Sequence, residues 1–372
     1  MKIGLLDTCI GNFGQKGFYN TQEIGLGKAL LQQAEEVYVY KMLPASSEYQ
    51  KEIQEDENGH KLTVQMLPVR SLGSNGLLDV KKLETSLDVL VYFSDTQLAV
   101  PQVYRWAVRN GVRLIPYLGV IESHSTGKIK KRIMDLLFSR NLAVYKKHPC
   151  AVKTPAVKEE LERLGVPDVT VTPVGLDLNL MKSDYLAEAV PALKAKYGYT
   201  EKDKVLLFVG RLTEEKQPLR MIGLLDELRR RDSQYKLLMI GTGELQEAVA
   251  DEVKKRKLTD AVQMIGRIPN KDIWELYRIA DCFVNLSQHE IFGMAILEAM
   301  YYGCKVVAWK APGPSFIIED GISGCLADSD AGILEAITEK TIVADVAHER
   351  IINHFTWEKT AEKIVGLAER LA

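Results

Sequence analysis

The stretch SQHEIFGMAILEAMYYG, Ser287 to Gly303, follows a run that reads as a buried strand, Cys282-Phe283-Val284-Asn285-Leu286. A buried strand, a turn containing glycine and then an apolar helix starting near Gly293 is the strand-to-helix step of an α/β protein. Working outward, strand-length apolar runs recur at Lys204–Gly210, Tyr235–Gly241, Val262–Gly266, Lys305–Lys310 and Gly324–Ala327. Helical patterns fit between them at Pro218–Arg231, Leu245–Arg256, Lys271–Ile279 and Met294–Tyr302. The first half repeats the alternation, with strands at Lys2–Asp7, Val37–Lys41, Leu62–Val69, Leu87–Phe93, Arg113–Leu118, Ala151–Thr154 and Val169–Pro173, and helices such as Thr21–Gln33 and Pro155–Leu164. Such alternation predicts βαβ units and parallel sheets. One break is Glu55–His60, where Asn58-Gly59 signals a hairpin or a surface insertion. Asp177–Asp203 is polar and helix-prone, without a clear strand. The expectation is an α/β chain of two doubly wound, Rossmann-like parallel-sheet domains. They would join near Val174–Leu180 and face across a cleft, with ligands beyond the carboxyl ends of the strands.

Composition bounds the function. A chain of 372 residues is long enough for two domains. The formal charge, 48 minus 50, is −2 and gives no global pull toward nucleic acid. Five cysteines (Cys9, Cys150, Cys282, Cys304, Cys325) show no metal spacing. They read as reduced thiols of a cytoplasmic protein. Met1-Lys2 leads into an apolar run too short for a signal peptide, and no run of 18 apolar residues spans a membrane.

The polar groups of the second half sit at strand ends. LLFVGRLTEEKQP puts Gly210-Arg211 after one strand and Lys216 before a helix that Pro218 starts. Two cations at such a turn suit a diphosphate; a solvated loop pairing them with Glu214 or Glu215 suits the residues equally. Gly241-Thr242-Gly243 and Gly266-Arg267 end the next two strands, where plain turns would also use glycine. Glu298 falls in the second turn of its helix, among Met294, Ile296, Leu297 and Met300. A buried glutamate needs a partner. Ribose hydroxyls would serve, and Glu290 in the preceding turn would lie beside the phosphates, where a sugar sits. The plainer alternative pairs Glu298 with Lys305 and leaves Glu290 solvated.

Together these residues resemble a known family, the retaining glycosyltransferases of the GT-B class marked by an E-x7-E motif (family 4). The resemblance rests on Val209–Leu212 with Lys216, Ile240–Leu245, Ile265-Gly266, Ser287–Glu298 and Glu319–Gly324. VTPVGLDLN (Val171–Asn179) is similar to the family's interdomain segment, and Phe355–Trp357 to the start of its C-terminal helix. The resemblance implies an N-terminal acceptor-side domain over residues 1–175. A nucleotide-sugar domain over 176–350 and a helix over 351–372 crossing back to the first domain complete it. It implies transfer of a sugar, with retention, from a nucleotide diphosphate sugar, uridine favoured, to an acceptor hydroxyl in glycan or glycolipid synthesis, with neither metal nor cofactor. Arg211 and Lys216 would hold the diphosphate, Glu298 the ribose and Glu290 the sugar, these cations and Glu290 being the catalytic set. Gly210, Gly241, Phe292 and Gly293 would approach the donor, and Arg267-Ile268 would flank the base. Gly17, in GNFGQKGFYN, aligns with a phosphate-approaching glycine, and His124 is a sugar-site or plain loop histidine. Two departures are the absence of a histidine directly after Gly119 and the loop APGPSFIIEDG (Ala311–Gly321), which lacks the family's paired glycines and glutamate.

Two further segments invite chemistry. Asp328-Ser329-Asp330 resembles a metal-binding triplet but fits a helix cap. Lys128–Lys147 carries seven basic residues and one acid, with Ile129, Ile133, Leu136 and Leu137 on one helical face. That pattern suits a core-packed helix, or docking on an anionic membrane that would make the protein peripheral and bring a lipid-linked acceptor. The rivals are a sugar-nucleotide epimerase on a similar scaffold and a non-catalytic nucleotide-sugar-binding module.

Overall fold

The computed structural model describes residues 1–10, 22–119, 128–269, 272–339 and 341–371, with 128–131 described by their backbone alone. The chain divides into two compact units, Met1–Gly175 together with Trp357–Ala372, and Leu176–Thr356. Each strand-length run picked out above is a strand, and Asp56–His60 turns a hairpin as expected.

The first unit is built on β1 (Lys2–Ile10), β2 (Glu36–Pro44), β3 (Gln50–Glu55), β4 (Lys61–Val69), β5 (Ser71–Leu72), β6 (Asn75–Gly76), β7 (Val89–Phe93), β8 (Arg113–Leu118), β9 (Cys150–Val152) and β10 (Val169–Val171). The main sheet runs β10-β9-β8-β7-β1-β2-β4-β3, parallel except for edge strand β3. Runs such as VLVYF bury almost every side chain, as strands covered on both faces must. The returning helix Trp357–Glu369 belongs to this unit. Its Trp357 ring lies against Gly25, where an added Cβ would come 2.4 Å from the indole nitrogen. Thr360 Oγ1 donates to the Pro173 carbonyl at 2.6 Å, and Arg113 donates to the Ala368 carbonyl at 3.0 Å. The return starts at Trp357, not at 351, because Ala344–His354 is a helix of the second unit.

The second unit holds β11 (Lys204–Val209), β12 (Tyr235–Ile240), β13 (Val262–Ile265), β14 (Cys282–Asn285), β15 (Val306–Trp309) and β16 (Cys325–Ala327). All are parallel, in the order β13-β12-β11-β14-β15-β16. Numbered within the unit, that is 3-2-1-4-5-6, and the winding reverses between β11 and β14. The loops after β11 and β12 meet backbone to backbone. A Cβ on Gly241 would lie 1.9 Å from the Gly210 carbonyl oxygen, and its φ of +138° is open to glycine alone.

Candidate functional site

In a doubly wound sheet the crevice opens where the winding reverses, outside the carboxyl ends of the strands. In the second unit, β11 and β14 meet at that point. After β11 come Gly210, Arg211 and a short turn Glu214–Lys216, which ends in left-handed Gln217 before the helix Pro218–Arg231. After β14 come Ser287 to Glu290. Lys216 Nζ reaches across and donates to Glu290 Oε2 at 2.6 Å, with the two side chains only 19% and 14% exposed. Glu290 Oε2 also accepts from Asn285 Nδ2 at 3.2 Å, while Asn285 Oδ1 accepts from the Ser287 N–H at 3.0 Å. Gly313 donates its N–H to the Glu290 carbonyl at 2.9 Å. A charge-assisted hydrogen bond of this kind is roughly twice as strong as a neutral one.

Arg211 does not join that pair. Its guanidinium is exposed and bonds Glu215 at 3.2 Å, which is the solvated-loop alternative for this one cation. Lys216 therefore stands against Glu290, and Arg211 flanks the turn.

Glu298 sits on the helix Met294–Tyr301, which starts at Gly293 with φ +105°. It is buried, and Lys305 is not its partner: Lys305 Nζ donates to the Ile337 carbonyl. Instead the Tyr277 hydroxyl donates to Glu298 Oε2 at 2.8 Å. Burial pushes the Glu298 carboxyl up to about 7, partly offset by that hydrogen bond. Among the described residues, its side-chain hydrogen-bond partner is this one phenol, from the neighbouring helix Trp274–Ile279.

The remaining expected residues are distributed around this edge. Phe292 is buried, with its ring edge-on to Phe355 at 6.3 Å. Gly313 packs on that backbone; a Cβ there would lie 2.2 Å from the Phe292 carbonyl oxygen. Arg267, exposed, and Ile268, half-buried, follow edge strand β13. The divergent loop forms a short helix, Pro312–Ile317, whose Phe316 packs edge-on to Phe355 at 5.3 Å. Asp328–Asp330 behaves as a cap: Ser329 Oγ accepts from the Gly332 N–H, and Asp330 bonds Arg220, itself 4.1 Å over the Trp309 ring. Gly17 and His124 lie outside the described residues.

The first unit has its own reversal point, between β1 and β7. A cavity of about 220 Å³ lies there, lined among others by Asp7, Phe93, Asp95, Tyr117 and Lys153. Glu23 also lines it and is paired with buried Lys41. Burial, and then the Glu23 charge, push the Asp7 carboxyl up to about 7, opposed by the Cys9 N–H and Lys41. Asp95 holds a left-handed backbone, φ +31°, and accepts the Gly119 N–H at 2.6 Å. Strain of that kind gathers at ligand sites. The basic helix Lys128–Tyr145 belongs to the same unit. It buries Phe138, Val144 and Tyr145, half-buries Leu137, and leaves Ile133 and Leu136 exposed at 53% and 71%. Ile129 is described by its backbone alone.

Tyr277 and Asn285 were not marked by the sequence. A tyrosine or asparagine in an apolar run carries no local sign that its polar tip meets a carboxylate, whether two elements on, as for Tyr277 and Glu298, or in the loop that follows, as for Asn285 and Glu290.

Two parallel-sheet units of this topology are the GT-B fold of glycosyltransferases. The sucrose-phosphate synthase from Thermosynechococcus elongatus superposes with a TM-score of 0.75 at 17% identity, over 100% of this chain and 98% of that one. Anabaena Alr3699/HepE, in complex with UDP and glucose, does so with a TM-score of 0.70 at 17% identity, over 99% of each chain. Residues 190–341 match the family model described as glycosyl transferases group 1. Among curated relatives, the D-inositol 3-phosphate glycosyltransferase of Segniliparus rotundus is 29% identical over 213 residues, 53% of this chain and 46% of that protein. The chain spans about half the length of the curated relatives it matches.

Proposed function

We propose that the protein is a retaining, family 4 glycosyltransferase that moves a hexosyl group from a nucleotide diphosphate sugar, uridine favoured, to an acceptor hydroxyl. The observation that carries this reading is the Lys216–Glu290 pair at the reversal point of the second unit, with Glu298 buried on the helix that follows. A donor entering there would take Lys216 for its diphosphate. Its sugar would lie against Glu290 and the Phe292-Gly293 backbone, and its ribose against Glu298. Gly210 and Gly241 let backbone approach the phosphates, and Arg267-Ile268 would border the base.

The reaction breaks the bond from the anomeric carbon to the phosphate oxygen and forms one to the acceptor oxygen on the same face. The acceptor proton passes to the departing phosphate oxygen. The protein's part is positioning and charge: Lys216, with Arg211 swinging from Glu215, stabilises the leaving diphosphate, and the reading calls on no metal. The cavity of the first unit would take the acceptor. The exposed Ile133 and Leu136 on a basic helix favour a peripheral place on an anionic membrane and a lipid-linked or glycan acceptor.

The test is a panel of UDP-, GDP- and ADP-sugars, read by thermal shift and by donor hydrolysis, on the wild type and Lys216→Met. One nucleotide series should stabilise the wild type and be slowly hydrolysed. The variant should lose roughly 10²–10³-fold in hydrolysis, as for other single stabilisers of a developing anion. A wild type that no donor shifts overturns the reading. Binding without hydrolysis in either protein would make it a binding module.

A further inference from the structure

We propose that Tyr277 is the positioning residue for Glu298, and that its hydroxyl decides how strongly the site distinguishes a ribonucleotide from one lacking the ribose hydroxyls. This rests on the reading above, in which Glu298 receives the donor ribose.

Three observations carry it. The hydroxyl of Tyr277 donates to Glu298 Oε2 at 2.8 Å, and Glu298 Oε1 makes no hydrogen bond to a described residue. One oxygen is thus engaged, and the other keeps its lone pairs for a ligand. The Tyr277 ring is fixed: it is 1% exposed, stacked on Tyr302 at 6.0 Å and 19°, and edge-on to Phe283 at 6.0 Å. Tyr302 is held in turn by the Lys182 N–H, which donates to its hydroxyl at 3.1 Å. A side chain locked this way can aim a carboxylate; a mobile one cannot. Third, among the described residues no cation contributes to the setting of Glu298. The titratable groups around the pair are Tyr302 and Cys304, both raised by burial and neutral through the physiological range. The phenol is therefore the group that favours the ionised carboxylate, the form that accepts two ribose hydroxyls, against the burial that opposes it.

A tyrosine that merely packs would tolerate loss of its hydroxyl, because phenylalanine keeps the ring and both aromatic contacts. A positioning tyrosine would not. The experiment uses the full chain and the nucleoside diphosphate that the donor panel selects from UDP, GDP and ADP, alongside its 2′,3′-dideoxy analogue. Dissociation constants are measured by calorimetry from pH 6 to pH 9. In the wild type, binding of the ribonucleotide should strengthen relative to the analogue as pH rises through the Glu298 midpoint. Tyr277→Phe should lower the ribo-over-dideoxy ratio at pH 7.5 by roughly tenfold, the worth of one hydrogen bond to a charged group. It should also move the midpoint upward. In a Glu298→Gln background the same change should alter nothing further. Incorporation of 3-fluorotyrosine at 277, a more acidic phenol of nearly the same shape, should move the midpoint downward and covers the case in which the phenylalanine variant does not fold.

If the wild type prefers the ribonucleotide and Tyr277→Phe changes neither ratio nor midpoint, the inference is wrong while the ribose reading of Glu298 stands. If the wild type binds both nucleotides alike, or binds none, the reading of Glu298 itself fails and Tyr277 falls with it.

Discussion

Glu298→Gln should make the second unit more stable above neutral pH, while leaving it nearly unchanged in mild acid. The buried Glu298 carboxyl titrates near 7, against 4.5 in the unfolded chain, and burial is the main cause. Between those two values the native state keeps a proton that the unfolded state has released. The unfolded state binds fewer protons, so stability falls as pH rises through this window. The full loss is about 2.5 pH units at 1.36 kcal/mol each, on the order of 3 kcal/mol, complete above pH 7. Glutamine copies the protonated acid: its carbonyl oxygen can accept the Tyr277 hydroxyl, and it has no charge to bury. Urea unfolding of wild type and variant at pH 5 and pH 8.5, with a probe in Leu176–Thr356, isolates the difference. Other titrating groups are shared and cancel. With a urea slope of about 2 kcal/mol per molar, the variant's midpoint should exceed the wild type's by about 1–2 M at pH 8.5 and by no more than about 0.5 M at pH 5. Equal gaps at the two pH values would refute the reasoning, because they would mean that Glu298 is ionised, or neutral, throughout.

Gly241→Ala should cost about 2–4 kcal/mol, since its Cβ would lie 1.9 Å from a carbonyl oxygen at a φ of +138°, and neither backbone can give way alone. A melting curve within about 2 °C of wild type would show that the two loops do not meet as described. Replacing the exposed Ile133 and Leu136 together by serine should leave the melting temperature unchanged. It should weaken sedimentation with anionic phospholipid vesicles by roughly 10²- to 10⁴-fold, given about 1.5–3 kcal/mol for each of the two side chains; equal sedimentation of both proteins would remove this helix from any membrane contact.

The fold was legible because a parallel sheet buried on both faces writes itself as short apolar runs, and LLFV, LLMI and CFVN could hardly be anything else. The site residues at strand ends were legible for the same reason: once the strands are fixed, Gly210, Lys216 and Glu290 must emerge on one edge. What could not be read was pairing at the level of atoms. Lys216 and Arg211 look interchangeable in GRLTEEK, yet only Lys216 reaches Glu290, while Arg211 lies along its own turn against Glu215. Glu298 was expected to need a partner, but the partner lies 21 positions earlier on a different helix, and no periodicity links the two. The cavity of the first unit escaped notice because Asp7 comes from β1 and Asp95 and Lys153 from just after β7 and β9, each an ordinary polar residue at or beside the end of an apolar run.

The seam between Gly25 and Trp357 also imposes an order of events during synthesis. A ribosome delivers Met1–Gly175 before Leu176–Thr356, but the slot beside Gly25 stays open until the helix Trp357–Glu369 has left the exit tunnel, a wait that covers the whole of Leu176–Thr356. The second unit is contiguous and can close its sheet as it emerges, whereas the first, begun earliest, is finished last. An apolar slot large enough for an indole is therefore presented to solvent throughout elongation, and a premature stop in the last helix would strand the first unit with that slot unfilled although every strand of its sheet had been made.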